Sequence, residues 1–132
     1  MKKFIIEGTE TSPEIIIDPE NCLLEMIGSS RPENVWKFYE PVISHLKKCK
    51  ESFSNDKSGS EEKNLTCNFK LTYFNSASAK FIYDIIAEIK YFQEEGVNII
   101  VNWIYERGDD DMKEAGEDLS DMLDFKFNYI LE

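Results

Sequence analysis

The sequence predicts an α/β fold: a mixed β-sheet with helices mainly on one face. Three observations lead there. Stretches with a period of two alternate with stretches of helical period along the chain. One clear strand–helix–strand succession occurs, which calls for parallel strands joined by a right-handed crossover. The two strands of that unit carry polar residues on their second face, whereas a sheet covered on both sides reads as continuously apolar. At 132 residues the chain has the usual size of one domain, so residues 1–132 are expected to form a single unit.

Residues 14–17 and 22–27 are β-branched and apolar, and they flank Asp18-Pro19-Glu20-Asn21, whose composition is that of a turn; they read as a hairpin. Ser30-Arg31-Pro32-Glu33 reads as a helix start with Pro32 in the first turn. Val35, Phe38, Tyr39, Val42, Ile43 and Leu46 then recur at helical spacing, with Pro41 inside the helix predicting a bend. Residues 51–63 are polar and serine-rich and read as a flexible loop. Leu65, Cys67, Phe69, Leu71 and Tyr73 alternate with polar residues, as in a half-buried strand. Phe81, Ile82, Ile85, Ile86 and Ile89 form the apolar face of a helix ending near Gly96. Val97, Ile99, Val101, Trp103 and Tyr105 alternate again, with Asn98 and Asn102 on the other side. A last helix over 109–123 places Met112, Ala115, Leu119 and Met122 on one face behind three aspartates that suit the positive end of the helix dipole. A short strand over 125–131 closes the chain.

Charge excludes more than it selects. Lys and Arg number 15 against 26 Asp and Glu, a net −11, which repels phosphate backbones and anionic lipid and so excludes nucleic acid and membrane surfaces as partners. Apolar residues make up 42%, enough to fill a core. No apolar run reaches the length of a membrane span, and the opening segment lacks a secretory apolar stretch, so a cytoplasmic protein is expected. Cys22, Cys49 and Cys67 are odd in number and widely spaced, as reduced, unpaired thiols would be.

The search for catalytic chemistry returns little. His45 is the single histidine and has no partner at short spacing, so it reads as a partly exposed surface residue. Cys67 falls on the apolar side of its strand and reads as core, not nucleophile. Phosphate-cradling loops and serine-hydrolase elbows have no counterpart. Residues 106–124 hold nine acids against two bases, yet a calcium loop beginning at Asp109 would place Lys113 and Glu114 where an oxygen ligand and a glycine are required. That segment therefore reads as a solvated helix face. Neither a catalytic residue, a metal site, a cofactor nor a small-molecule substrate is expected. The junction YFNSASAK, residues 73–80, is the most informative stretch. There a strand stops, Asn75 or Ser76 caps the next helix, and a phosphate on Ser76 would meet free backbone N–H groups at the positive helix end.

Five blocks carry a family resemblance over nearly the whole chain: IEGTETSPEI (6–15), RPENVWKFYEPVI (31–43), LTYFNSASAK (71–80), VNWIYE (101–106) and DMKEAGEDLSD (111–121). On these the chain resembles the SiaC family of bacterial regulatory phosphoproteins, relatives of the STAS-fold anti-sigma-factor antagonists. The resemblance implies a STAS-like domain switched by a protein kinase and a PP2C-type phosphatase in a partner-switching circuit. It further implies that the unphosphorylated form binds and stimulates a downstream effector such as a diguanylate cyclase. In that family the acceptor hydroxyl directly follows the junction asparagine, commonly as Asn-Thr-Ser-Ser. Here the run is Asn75-Ser76-Ala77-Ser78, which makes Ser76 the acceptor position, with Ser78 as the alternative because Ala77 departs from the pattern. Asn75, Ser76, Ala77 and Ser78 are then the expected partner-binding residues. Two other functions fit the same residues less well: a constitutive interaction domain that is never modified, and a small enzyme.

Overall fold

The computed structural model describes residues 3–55 and 63–132. Its elements run β1 (Phe4–Ile6), β2 (Glu14–Asp18), β3 (Leu23–Ser30), α1 (Val35–Asn55), β4 (Lys63–Phe74), α2 (Ser76–Tyr91) with a 3-10 extension (Phe92–Glu95), β5 (Val97–Tyr105), α3 (Asp110–Leu123) and β6 (Asn128–Leu131). The six strands form one mixed sheet in sequence order, antiparallel from β1 to β3 and parallel from β3 to β6. Helices α1, α2 and α3 make the three parallel crossovers. Alternate strand residues (Leu24 and Met26, Cys67 and Phe69, Val101 and Trp103) join the helices' Leu46, Ile82, Ile85, Ile86 and Leu119 in one buried cluster. The residues between them are the polar ones the period-two pattern placed on the other face.

That other face carries a rail of amides. Glu25, Asn68, Asn102 and Asn128 stand side by side across β3 to β6. Asn128 Nδ2 donates to Asn102 Oδ1 (3.2 Å), Asn102 Nδ2 to Asn68 Oδ1 (2.8 Å) and Asn68 Nδ2 to Glu25 Oε2 (3.1 Å). Asn98 and Asn64 make a second, shorter rung at 3.0 Å.

Several expectations shift at the element ends. Helix α1 starts at Val35, not within 30–33: Ser30 is the last residue of β3, and Asn34 is the cap, its Oδ1 accepting from Lys37 N at 3.0 Å. The helix continues through Pro41 to Asn55, so residues 51–55 of the expected loop are helical and Lys63 already belongs to β4. Residues 56–62 of that loop lie outside the described residues. Strand β1 is an addition; three residues are too few to show a period. The final strand is shorter than expected. Asp124 takes a left-handed conformation as the cap of α3, and Ser120 binds Phe125 through both backbone and side chain, which keeps residue 125 in the cap turn.

The buried face of α3 also differs by a fraction of a turn. It is Met112, Gly116, Leu119 and Leu123; Ala115 is half-buried and Met122 is 63% exposed. The cause is Trp103. Its buried indole donates to the Met112 carbonyl at 2.8 Å and lies so close to the helix that a Cβ on residue 116 would come within 2.5 Å of the ring. Only glycine permits that approach, so the helix rolls to present Gly116.

Candidate functional site: the β4–α2 junction

Strands β3 and β4 end together, with Ser30 beside Phe74. Asn75 then leaves the sheet in an extended conformation and begins α2. Its Oδ1 accepts from Ser78 N (2.9 Å), its carbonyl accepts from Ala79 N (3.0 Å), and its own N–H donates to Ser30 O (3.1 Å). Of the two candidate caps, Asn75 fills the role. Ser76 is thereby released to the first helical position, where it is exposed, as is Ala77. The backbone N–H groups of Ser76 and Ala77 have no carbonyl one turn back within the helix, as at every helix start.

Ser78 lies on the opposite side of this turn and is fully buried. Its Oγ donates to Ser30 O (3.0 Å) and accepts from Ser30 Oγ (2.8 Å). Since the one proton of Ser30 is given to Ser78, the hydroxyl of Tyr39, 2.5 Å from Ser30 Oγ, must donate to it. The three hydroxyls form a directed chain, Tyr39 to Ser30 to Ser78 to the Ser30 carbonyl, that ties α1, β3 and α2 together. Burial pushes the Tyr39 phenol up to about 12, so this donor stays protonated. The expectation that the Ser78 hydroxyl faces a partner is therefore corrected: it is a core group, fully used inside the protein. Asn75 is half-buried and engaged, which leaves Ser76 and Ala77 as the accessible members of the four.

One turn beyond Ser76, exposed Lys80 pairs with Asp84 at 3.5 Å and lies over the Phe81 ring at 4.9 Å. Between α1 and α2 a shallow groove of about 360 Å³ opens beside it, lined by Trp36, Ile43, Lys80 and Phe81 among others. Trp36 is 63% exposed. Reading the sequence alone missed it, although Trp36 lies outside the Val35/Phe38/Tyr39/Val42 stripe and so was bound to point away from the core. Ser30 and Tyr39 were missed as site residues because nothing in the local sequence says that two hydroxyls 48 and 39 residues from Ser78 converge on it.

The other singled-out groups do not assemble into a catalytic arrangement. His45 is half-buried, its ring stacked on Phe4 of β1 (centroids 4.6 Å apart). Its buried Nε2 has no hydrogen-bond partner among the described residues, and burial, with Lys48 nearby, lowers its pKa. The Cys67 thiol is buried and pushed well up by that burial; Cys49 is raised for the same reason, and all three cysteines are free. Among the described residues no three His, Cys, Asp or Glu side chains are grouped to hold a metal ion, and no helix is long and apolar enough to cross a membrane.

The chain and its fold have counterparts among known proteins. The family described as SiaC family regulatory phosphoprotein matches residues 6–132. An uncharacterized protein of Pseudomonas aeruginosa (strain UCBPP-PA14) is 28% identical over 127 residues, 96% of this chain and 94% of that one. Among solved structures, SiaC of Pseudomonas aeruginosa superposes with a TM-score of 0.78 at 24% identity, over 100% of this chain and 98% of that one. A Pseudomonas aeruginosa structure of diguanylate cyclase SiaD in complex with its activator SiaC matches with a TM-score of 0.81 at 25% identity, over 98% of this chain and 99% of that one. With its strand–helix junction, its six-stranded sheet and a family match over residues 6–132, the chain belongs to the SiaC family of regulatory phosphoproteins.

Proposed function

We propose that this chain, acting as a single cytoplasmic unit, is a non-catalytic switch whose unphosphorylated form binds and activates a diguanylate cyclase. A protein kinase would phosphorylate Ser76 and a PP2C-type phosphatase would remove the phosphate. The observation that carries the reading is the pair of opposite serine environments in one helical turn. Ser76 is exposed at the first position of α2, while Ser78 is buried with its hydroxyl donating to Ser30 O. A kinase can reach the first without unfolding α2; reaching the second requires breaking the hydroxyl chain. Kinship with a family whose Pseudomonas aeruginosa member is the activator of a diguanylate cyclase supports the choice of effector.

Phosphorylation would add about −1.5 to −2 charges at a helix N-terminus, where that sign is favoured, so the fold should tolerate it. Lys80 is one turn away, but it already pairs with Asp84. A partner packed on Ser76 and Ala77 would then have to desolvate the phosphate, and about 1.4 kcal/mol of that penalty is tenfold in affinity. The test is phosphopeptide mapping of the chain isolated from its native host, together with cyclic-di-GMP synthesis by a purified diguanylate cyclase from that host. Wild type and Ser76→Ala should stimulate the cyclase and Ser76→Glu should not. Phosphate mapped to a residue other than Ser76, or equal stimulation by Ser76→Glu, would refute the proposal.

A further inference from the structure

A second surface lies at the far end of α2, and it does not depend on the switch. Tyr83, Ala87 and Tyr91 occur at i, i+4 and i+8 on α2, and with Met122 of α3 they line a groove of about 490 Å³ between the two helices. Tyr91 is 50% and Met122 63% exposed, large apolar groups whose exposure the core does not explain. The stripe from Tyr83 to Tyr91 is about 12 Å long at 1.5 Å per residue, the span of two helical turns. Ser76 is 15 positions before Tyr91, about 22 Å along the same axis.

Charge identifies the occupant. Glu94 and Asp124 line the groove, and Asp118 stands one turn before Met122 on the same side of α3. None of these three carboxylates has an ion-pair partner among the described residues. The cations present are already engaged: Lys90 Nζ donates to the Leu123 carbonyl at 2.7 Å, and Lys50 lies over the Tyr91 ring at 5.1 Å. An apolar stripe two turns long between acidic rims matches an amphipathic helix with lysine or arginine beside its apolar face. We infer that the α2–α3 groove is a docking site for a basic amphipathic helix of a partner protein, separate from the Ser76 surface and available in both phosphorylation states.

The test uses the full chain and a fluorescein-labelled peptide of about 14 residues, leucine at i, i+3, i+4 and i+7 with lysine between, followed by anisotropy. A peptide of identical composition with its leucines dispersed measures charge attraction alone. The striped peptide should bind at least about tenfold tighter than the dispersed one. Tyr91→Gln with Met122→Gln should remove that advantage, as should Met122→Gln alone in part. Asp118→Asn should weaken binding and flatten its salt dependence, while Trp36→Gln and Ser76→Glu leave it within about twofold. Equal binding of the two peptides, undiminished binding by the double variant, or loss of binding in Trp36→Gln would overturn the inference. Because the Ser76 variants enter only as unaffected controls, failure of the switch leaves this result readable.

Discussion

Removing Ser30 Oγ should cost more than removing the Tyr39 hydroxyl that donates to it, and removing both should cost no more than removing Ser30 Oγ alone. In Tyr39→Phe the chain loses its first donor. Ser30 Oγ still donates to Ser78, nothing is left unpaired, and the loss is one net hydrogen bond, about 1 kcal/mol. In Ser78→Ala two hydrogen bonds go, and although Ser30 Oγ keeps Tyr39 and Ser30 O keeps Asn75 N, the Ser30 proton loses its acceptor, so the cost is about 2 kcal/mol. In Ser30→Ala two buried hydrogen bonds go: the Tyr39 hydroxyl, with no measurable solvent exposure, loses its acceptor and keeps only the more distant Ser78 hydroxyl in reach, while Ser78 still donates to the Ser30 carbonyl. At about 1 kcal/mol for each of the two lost bonds, Ser30→Ala should lose about 2 kcal/mol. Adding Tyr39→Phe takes away a bond that is already gone, so the double variant should be no less stable than Ser30→Ala alone. Urea unfolding followed by Trp103 fluorescence and circular dichroism measures this. At a slope of about 2 kcal/mol per molar, Ser30→Ala should shift the midpoint by about 1 M and the double variant by no more than that. Additive losses from the two substitutions would refute the directed chain.

Two further outcomes follow from the packing and from titration. Gly116→Ala gains about 1 kcal/mol of helix propensity but drives a methyl into the buried Trp103 indole, so it should destabilise by about 1–3 kcal/mol net and shift Trp103 emission; a rise in the urea midpoint would refute the close approach. For His45 the folded pKa lies below the ordinary 6.5, so between the two values the unfolded chain holds more protons. Stability should fall as pH drops below about 6.5 and level off beneath the folded value, and His45→Gln should lack that component when unfolding midpoints at pH 7.5 and 5.5 are compared.

Most of the architecture was legible because it rests on periods that a sheet and its crossover helices impose directly. Leu65 to Tyr73 and Val97 to Tyr105 alternate because one face of the sheet is core and the other is not, and Phe81 to Ile89 repeats because α2 covers that core. Where propensity alone had to choose among neighbours, tertiary contacts decided. Pro32 invited an early helix start, but Asn34 supplies the cap and Arg31 N is held by the Thr11 carbonyl. Ala115 and Met122 fit an apolar stripe as well as Gly116 and Leu123, and only the Trp103 ring breaks the tie. At the junction the serine spacing was visible, but the burial of Ser78 was not. It depends on Tyr39 and Ser30, which the chain brings back from another helix and another strand.

The amide rail bears on a different question, how parallel strands find their alignment. A hairpin turn fixes which residues of two antiparallel strands meet; strands β4, β5 and β6 are joined through helices and have no such device. A slip by one residue would turn apolar side chains outward and is forbidden by the core. A slip by two keeps every side chain on its proper side, and the core barely resists it. The rail does resist, because two places along β5 stand Ile100 and Ile104, which would set the Asn68 amide against an aliphatic side chain and break the chain of donors that ends on Glu25. Glu25, Asn68, Asn102 and Asn128 act as alignment marks, distinguishing the one pairing among the even-numbered slips that hydrophobic patterning cannot tell apart.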